Sequence, residues 1–470
     1  MKKPFVWLSL LLVLALTLSA CGTAATTEPP AVETQPPAVE PSEPPAATEP
    51  PVEETTEAPV ETEAPTEPAT EEPVAGEIDC FGAEGTSVSL LYQWSGLEEE
   101  NLTNILQPLL DACDITLEVE STRDQAILDT RVQANNPPDI AFWNIAQLEQ
   151  YADLLVAIDD LPVAQENYAD FWRELGSIDG TWYGLPVKAD VKSIIWYSPV
   201  AFEAFGYTVP ETWDDLEALV EQMVADGNTP WSMGFESGDA TGWTGTDFIQ
   251  DILLVTQGPN FVQGLIDGTV AYNDPAVAEA YELYGRWARD EAYTVGGAQG
   301  TLSTGFNDAI LAVFADPPLA MMVKQSGFAG GTIAETYPAL VYGVDYDFFQ
   351  VPGVQGLQGG TDWMMAFSDS PAVQAVFAYL SSETGARRWA EVGFDITPNL
   401  AGAEGYTNES LAKRADMLYN AATLVADVGD AIPGGFGSAE FRAVTDFVNG
   451  ADLQPLLDNL AEIQAQNTGQ

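Results

Sequence analysis

No histidine occurs anywhere in the 470 residues. That absence removes a Ser-His-Asp or Cys-His nucleophile pair, a histidine-ligated zinc and a histidine acid or base in one step. Basic side chains are the second scarcity: 15 Lys and Arg face 72 Asp and Glu, for a formal net charge of −57. Such a field repels phosphate backbones and offers no basic stripe to hold them, so nucleic-acid partners are excluded. The three cysteines, Cys21, Cys80 and Cys113, are too few for a four-thiolate metal site, and neither a metal nor another cofactor is expected. Paired carboxylates remain the main open route to hydrolysis. What is present is 46% apolar residues, enough for a sizeable core, over a length that suits two or three domains.

Long apolar runs are almost lacking too. One stretch, Phe5 to Leu18, follows Met1-Lys2-Lys3. At about 14 residues it falls short of the roughly 20 that span a bilayer, and it ends in small residues at Leu18-Ser19-Ala20-Cys21. Residues 1–20 therefore read as a signal peptide. Leu-Ser-Ala-Cys resembles the lipobox of bacterial lipoproteins, which implies cleavage before Cys21 and a diacylglycerol on its thiol. An ordinary secretory signal with a coincidental cysteine is the alternative. The expected location is outside the cytoplasm, with lipid alone anchoring the chain to the outer face of the bacterial cell membrane.

Between Gly22 and Asp79 there is no aromatic residue and no Lys or Arg, while 13 prolines and 14 glutamates crowd the segment. Low hydrophobicity with one sign of charge leaves nothing to offset ordering entropy, so residues 21–79 read as a disordered stalk. Its proline density favours extended geometry, with a reach of at most about 180 Å at ~3.1 Å per residue. From residue 80 onward 57 acids and 13 bases remain, so the folded part is itself acidic. Cys80 and Cys113 lie on the outer side of the membrane in this reading, where disulfides persist. A bridge between them is expected, with two buried free thiols as the alternative.

The folded part alternates strand and helix. Ser87 to Tyr92 reads as a buried strand, and Leu102, Ile105, Leu106, Leu109 and Leu110 repeat at helical spacing despite Pro108. Ile115 to Val119, a helix over 124–134 and Asp139 to Trp143 follow. That order implies parallel crossovers in a sheet with helices on both faces, an α/β class. Thr212 with Asp215 marks a capping box, and Asp274-Pro275 opens another helix. Further strands are expected at Trp231 to Phe235, Leu319 to Lys324 and Gly360 to Phe367. Gly356-Leu357-Gln358-Gly359-Gly360 lacks the Lys and Ser/Thr of a phosphate loop, so no nucleotide site is expected.

Four segments stand in a familiar order: Pro138-Asp139-Ile140-Ala141-Phe142-Trp143; Leu185-Pro186-Val187 leading to Ile195-Trp196-Tyr197-Ser198; Phe306-Asn307-Asp308 leading to Ala320-Met321-Met322; and Gly359-Gly360. Together they resemble the family 1 extracellular solute-binding proteins of ABC importers, the group that includes maltose- and α-glucoside-binding proteins. The resemblance covers about residues 85 to 465. It implies the type II, maltose-binding-protein-like periplasmic-binding-protein fold, two α/β lobes joined by crossing strands with sugar in the cleft. By the same resemblance lobe one is 81–191 and 363–405, and lobe two is 193–360 and 408–465. The crossings then fall near 188–194, 360–364 and 405–408. A monomer that meets ABC permease subunits is implied, with a carbohydrate as its ligand.

A neutral sugar offers hydroxyls, which want carboxylates, amides and cations, and a weakly apolar ring face, which wants an aromatic surface. The resemblance places a stacking tryptophan at Trp143, for which a core role is the alternative, and a second stacking ring at Phe328. It places a carboxylate and an aromatic of a cleft loop at Glu236 and Trp243. Trp94 and Ser95 follow the first strand at its carboxyl end, where open α/β sheets bind ligands; simple loop packing is the alternative. Basic residues are scarce enough that Arg123, Lys188 and Lys324, each beside an apolar strand, stand out. Lys188 with Asp190 at the first crossing, and Asp362 with Trp363 at the second, suit either a hinge ion pair or direct hydroxyl contacts. The reading is a binding protein and not an enzyme. A lipid-anchored glycoside hydrolase using two carboxylates and a surface glycan-binding adhesin are the alternatives; the alternation does not show the eight βα units of a barrel.

Overall fold

The computed structural model describes residues 78–468 apart from 123 and 124. Cys21, the signal peptide, the stalk up to residue 77 and Arg123 lie outside the described residues. The strands in chain order are β1 (Ser87–Tyr92), β2 (Thr116–Ser121), β3 (Ile140–Trp143), β4 (Ser177–Ile178), β5 (Thr181–Trp182), β6 (Gly184–Val191), β7 (Ile194–Tyr197), β8 (Met322–Lys324), β9 (Asp347–Gln350), β10 (Leu357–Ala366) and β11 (Leu424–Ala426).

The first three strands form the expected parallel unit, β2-β1-β3, joined by the Leu97–Cys113 and Gln125–Gln133 helices. Parallel order does not continue across the sheet. β10 runs antiparallel to both β3 and β6, then pairs in parallel with β11, so the six-stranded sheet is mixed. A late strand inserted beside an early one needs no crossover of fixed hand, which is why the local βαβ pattern did not show it. β8-β7-β9 form a separate antiparallel sheet. The chain passes from one sheet to the other through Lys192 and Ser193, between β6 and β7.

Pro108 sits inside the Leu97–Cys113 helix without breaking it. Proline donates no backbone hydrogen bond to the carbonyl four residues earlier, and here Arg388 Nε donates to Asn104 O at 3.1 Å in its place. Cys113 ends that helix and is bridged to Cys80, with 5.4 Å between Cα atoms, so the expected disulfide is present. The Thr212 capping box and the Asp274 cap with Pro275 behind it both form. The strand expected at Trp231 to Phe235 does not. Only isolated bridges from Trp231 exist, because the Phe235 and Glu236 amides donate to Thr301 O and Thr304 O instead of to a neighbouring strand.

The three-stranded sheet is buried on both faces. Along β7 the period-two alternation sends Ile194 and Trp196 into one hydrophobic cluster and Ile195 and Tyr197 into the other. Phe348 and Phe349 of β9 divide in the same way. The first cluster also holds β1, β3 and β10 core residues; the second holds the Trp213–Ala225, Trp243–Thr256 and Phe436–Val448 helices. Among the described residues no helix is long and apolar enough to cross a membrane.

Candidate functional site

Strand alternation puts Lys188 and Asp190 on one face of β6, and Lys192 follows two residues on in the crossing. The antiparallel register sets Asp362 of β10 opposite Lys188 and Gly360 opposite Asp190. A line of charge results, and three groups of ion pairs build on it.

At one end Asp362 is a shared acceptor. Gln93 Nε2 donates to its Oδ1 at 2.7 Å, Trp94 Nε1 to its Oδ2 at 3.0 Å, and Lys188 Nζ to Oδ2 at 3.4 Å. Lys188 is also 3.6 Å from Glu98 Oε1 and lies 5.4 Å over the Phe394 ring. In the middle, Arg414 Nη1 bonds Asp190 Oδ1 at 2.8 Å and Asp395 Oδ1 at 2.9 Å, while the Gly327 amide donates to Asp190 at 3.1 Å. At the other end Lys192 Nζ bonds Asp427 Oδ2 at 2.7 Å and Asp247 Oδ1 at 3.1 Å; Gln358 Nε2 donates to the same two oxygens. Lys324 Nζ lies 3.2 Å from Asp251 Oδ2, and Ser193 Oγ donates to Asp251 Oδ1.

Burial alone would discharge these groups, so the partners decide their state. Burial works to lower Lys188 and Lys192, but Asp362 for the first and Asp247 with Asp427 for the second hold both cations above the usual lysine range. Burial pushes Asp247 up to about 8 against the pull of Lys192 and Lys324. Asp427 goes the other way: burial raises it, yet Lys192 and hydrogen bonds from Asp247, Lys192 and the Asp430 amide hold it below the usual carboxylate range. The two carboxylates are thus pushed in opposite directions, Asp247 toward its protonated form and Asp427 toward the charged form that faces Lys192. Asp395 is pushed up to about 6 by burial and by Asp190, with Arg414 opposing.

Beside Lys192 stands an aromatic wall. Trp243, Phe306 and Phe328 meet pairwise with ring centroids 5.5, 6.1 and 5.9 Å apart, all three half-buried, and Lys192 Nζ lies 5.9 Å from the Trp243 ring centre. The structure thus brings together Lys188, Asp190, Trp94 and Asp362 on the charged line, and Trp243, Phe328 and Lys324 around its far end. Glu236 is exposed, with Oε1 accepting from the Gly238 amide at 3.4 Å. Ser95 is exposed as well. Trp143 and Trp363 face each other across β3 and β10, 3% and 1% accessible, and Trp363 packs edge-on against Trp172.

Sequence reasoning passed over Lys192, Asp247, Asp251, Gln358, Arg414 and Asp427. For two of them a signal existed. Asp247 precedes, and Gln250 and Asp251 interrupt, the otherwise apolar stretch Phe248 to Val255, with the two acids at helical spacing, and polar residues on the buried face of a helix need partners. Asp427 carried no such mark, since it lies 235 residues beyond Lys192.

The set offers hydrogen-bond donors and acceptors already compensated in charge, next to flat apolar rings. Comparisons with known proteins agree on the class. The osmoprotective compounds-binding protein GgtB of Synechocystis sp. is 32% identical over 389 residues, covering 79% of this chain and 91% of that protein. The alpha-glucosides-binding periplasmic protein AglE of Rhizobium meliloti is 31% identical over 393 residues, covering 78% and 84%. The crystal structure of the bacterial solute receptor AcbH superimposes with a TM-score of 0.67 at 18% identity, over 82% of this chain and 99% of that one, a likeness of two-lobe α/β fold. The family model described as bacterial extracellular solute-binding protein matches residues 104–416. On that match and on relatives aligned over most of their length, the chain belongs to the bacterial extracellular solute-binding proteins.

Proposed function

We propose that this chain captures a carbohydrate, an α-glucoside or related oligosaccharide, between two lobes and hands it to ABC permease subunits. The observation that carries the reading is the half-buried wall of Trp243, Phe306 and Phe328 standing against the Lys192, Asp247 and Asp427 group. A ring face lies on the wall while its hydroxyls reach fixed donors and acceptors. Lobe one is assigned to 81–191 and 363–405, lobe two to 193–360 and 408–465. The charged line on β6 and β10 runs along their junction: Gln93, Trp94 and Glu98 hold it from one side, Asp247, Gly327 and Asp427 from the other. Closure follows because only the closed state presents both sides to one ligand, and differential affinity sets the shift. Glu236 at the cleft edge and Lys188, Asp190 and Asp362 on the line bind hydroxyls. A lipid on Cys21 keeps the monomeric receptor beside its permease.

The alpha-glucosides named for AglE support this class, and the osmoprotective compounds named for GgtB set other small solutes that the test must include. The test is calorimetry of the protein against maltose, trehalose, raffinose, galactose, glycine betaine, amino acids and short peptides. A sugar should bind at about micromolar Kd, near −8 kcal/mol. Trp243→Ala should weaken it by about 1–3 kcal/mol, as truncation of an anchoring aromatic does. Binding confined to amino acids or peptides would refute the carbohydrate assignment. Sustained release of reducing ends from maltooligosaccharides would move the reading to a hydrolase.

A further inference from the structure

Trp231 and Lys324 stand in the wall of one small pocket together with Ser232, Thr244, Phe306 and Gln325. Both are almost inaccessible, at 0% and 7%. Yet Trp231 Nε1 and Lys324 Nζ each lack a hydrogen-bond acceptor. Lys324 is paired in charge with Asp251 Oδ2 at 3.2 Å and Asp247 Oδ2 at 3.9 Å, and these two buried carboxylate oxygens likewise have no hydrogen-bond donor, so a hydroxyl, which both accepts and donates, suits the group. Two of the neighbouring polar atoms are engaged elsewhere: Thr244 Oγ1 donates to Gly234 O, and Gln325 Oε1 accepts from the Ser326 amide. Buried donors in folded proteins are nearly always satisfied. Two unsatisfied donors on one pocket therefore call for an oxygen atom, and the space suits a single water-sized group.

The position of the pocket says what brings the oxygen. Phe306 belongs both to its wall and to the aromatic wall of Trp243, Phe306 and Phe328. We infer that this pocket receives one hydroxyl on a short arm, the CH2OH group of a polyol or sugar, from a ligand lying against those rings. Its oxygen accepts from Lys324 Nζ and Trp231 Nε1. A ligand with a methyl group in that place leaves both donors unpaired, so the pocket discriminates hydroxymethyl from methyl; rejection of an analogue lacking a hydroxyl is strong where the site's own polar groups are left bare. The ligand class rests on the carbohydrate reading above, whereas the pocket can be tested without it.

Ethylene glycol is the smallest probe with such an arm. It should be titrated into the protein carrying 15N-labelled tryptophan, with the Trp231 indole resonance assigned through Trp231→Phe. The Trp231 resonance should shift saturably, while that of Trp94, already held by Asp362, stays in place. Lys324→Met should weaken the response at least fivefold. A crystal structure of the wild-type protein grown in ethylene glycol keeps the test open should that variant not fold. A probe oxygen within hydrogen-bond distance of both nitrogens supports the pocket. An unmoved Trp231 resonance, an equal response in Lys324→Met, or a resident water that the probe does not displace overturns it. An occupied pocket in a protein that binds no carbohydrate would sink the functional reading alone; carbohydrate binding with a dry or water-only pocket would sink this inference alone.

Discussion

Replacing Lys192 by methionine keeps the length of the side chain and removes the cation between Asp247 and Asp427. The three side chains are 15%, 2% and 9% accessible, so solvent screens them little. Removing one partner of a buried ion pair costs about 3–5 kcal/mol, because the charge left behind is uncompensated. The lower end, about 3 kcal/mol, applies here. Asp247, pushed up to about 8, is shifted toward its neutral form, and Asp427 keeps donors from Gln358 Nε2 and from the Gly429 and Asp430 amides. The deficit should depend on pH with a definite sign. In the wild type the folded Asp427 is held below its unfolded range, so its contribution is present above about pH 4 and is lost as pH falls through the folded value. In Lys192→Met that contribution is gone, so the gap between the two proteins stays open from pH 7 down to about pH 4 and closes as pH falls further through the folded value. Asp247 acts in the opposite direction: its raised value makes the folded state bind the extra proton, so its term weakens the wild type as pH climbs from about 4 to 8. Urea unfolding followed by tryptophan fluorescence at pH 7 and at about pH 2, well below the unfolded carboxylate value, reads both proteins by linear extrapolation. A deficit below about 1 kcal/mol at pH 7, or one of equal size at both pH values, would refute the assignment of Asp427 as the charged partner.

Three further outcomes are expected. Replacing Cys80 and Cys113 by serine frees a loop spanning 33 residues of sequence separation and should cost roughly 4 kcal/mol in the chain-entropy model, measured by the same unfolding assay; an unchanged midpoint would show that the bridge does not constrain the unfolded chain. Gly327→Ala would set a Cβ 1.8 Å from Arg414 Nη1 and 2.2 Å from Asp190 Oδ1, so the Asp190–Arg414 pair must part; a loss of at least about 2 kcal/mol is expected, and wild-type stability would show that Arg414 relocates freely. Trp143→Ala should destabilise by about 3–5 kcal/mol and leave ligand affinity of the folded fraction unchanged, since the ring is 3% accessible among core residues; an affinity loss with an unmoved melting temperature would return Trp143 to the ligand.

Much of the fold was legible because its signals are local. The apolar run of β1, the helical spacing of Leu102 to Leu110, the Thr212 capping box and the Asp274-Pro275 start each depend on residues within one or two turns, and each formed where the sequence put it. The disulfide followed from compartment and position. At the site, scarcity of cations was enough to single out Lys188 and Lys324, whereas Trp243 and Phe328 came from the family resemblance. Tertiary structure decided the rest. Residues 231–235 have a strand's composition, yet only the Ser232 amide reaches a strand, at Met322 O, while Trp231 donates to Tyr293 O and Phe235 to Thr301 O, and a backbone donor's choice between distant acceptors leaves no trace in side-chain pattern. Asp362 meets Lys188 only because β10 returns antiparallel to β6 in one register; a slip of one residue would put Trp363 there and bury the acid. Lys192 looks like an ordinary polar residue between two strands until Asp247 and Asp427 arrive from 55 and 235 residues away and take it out of solvent. Local periodicity reports which face a residue occupies, whereas the partner that fixes its charge is chosen by how the whole chain packs.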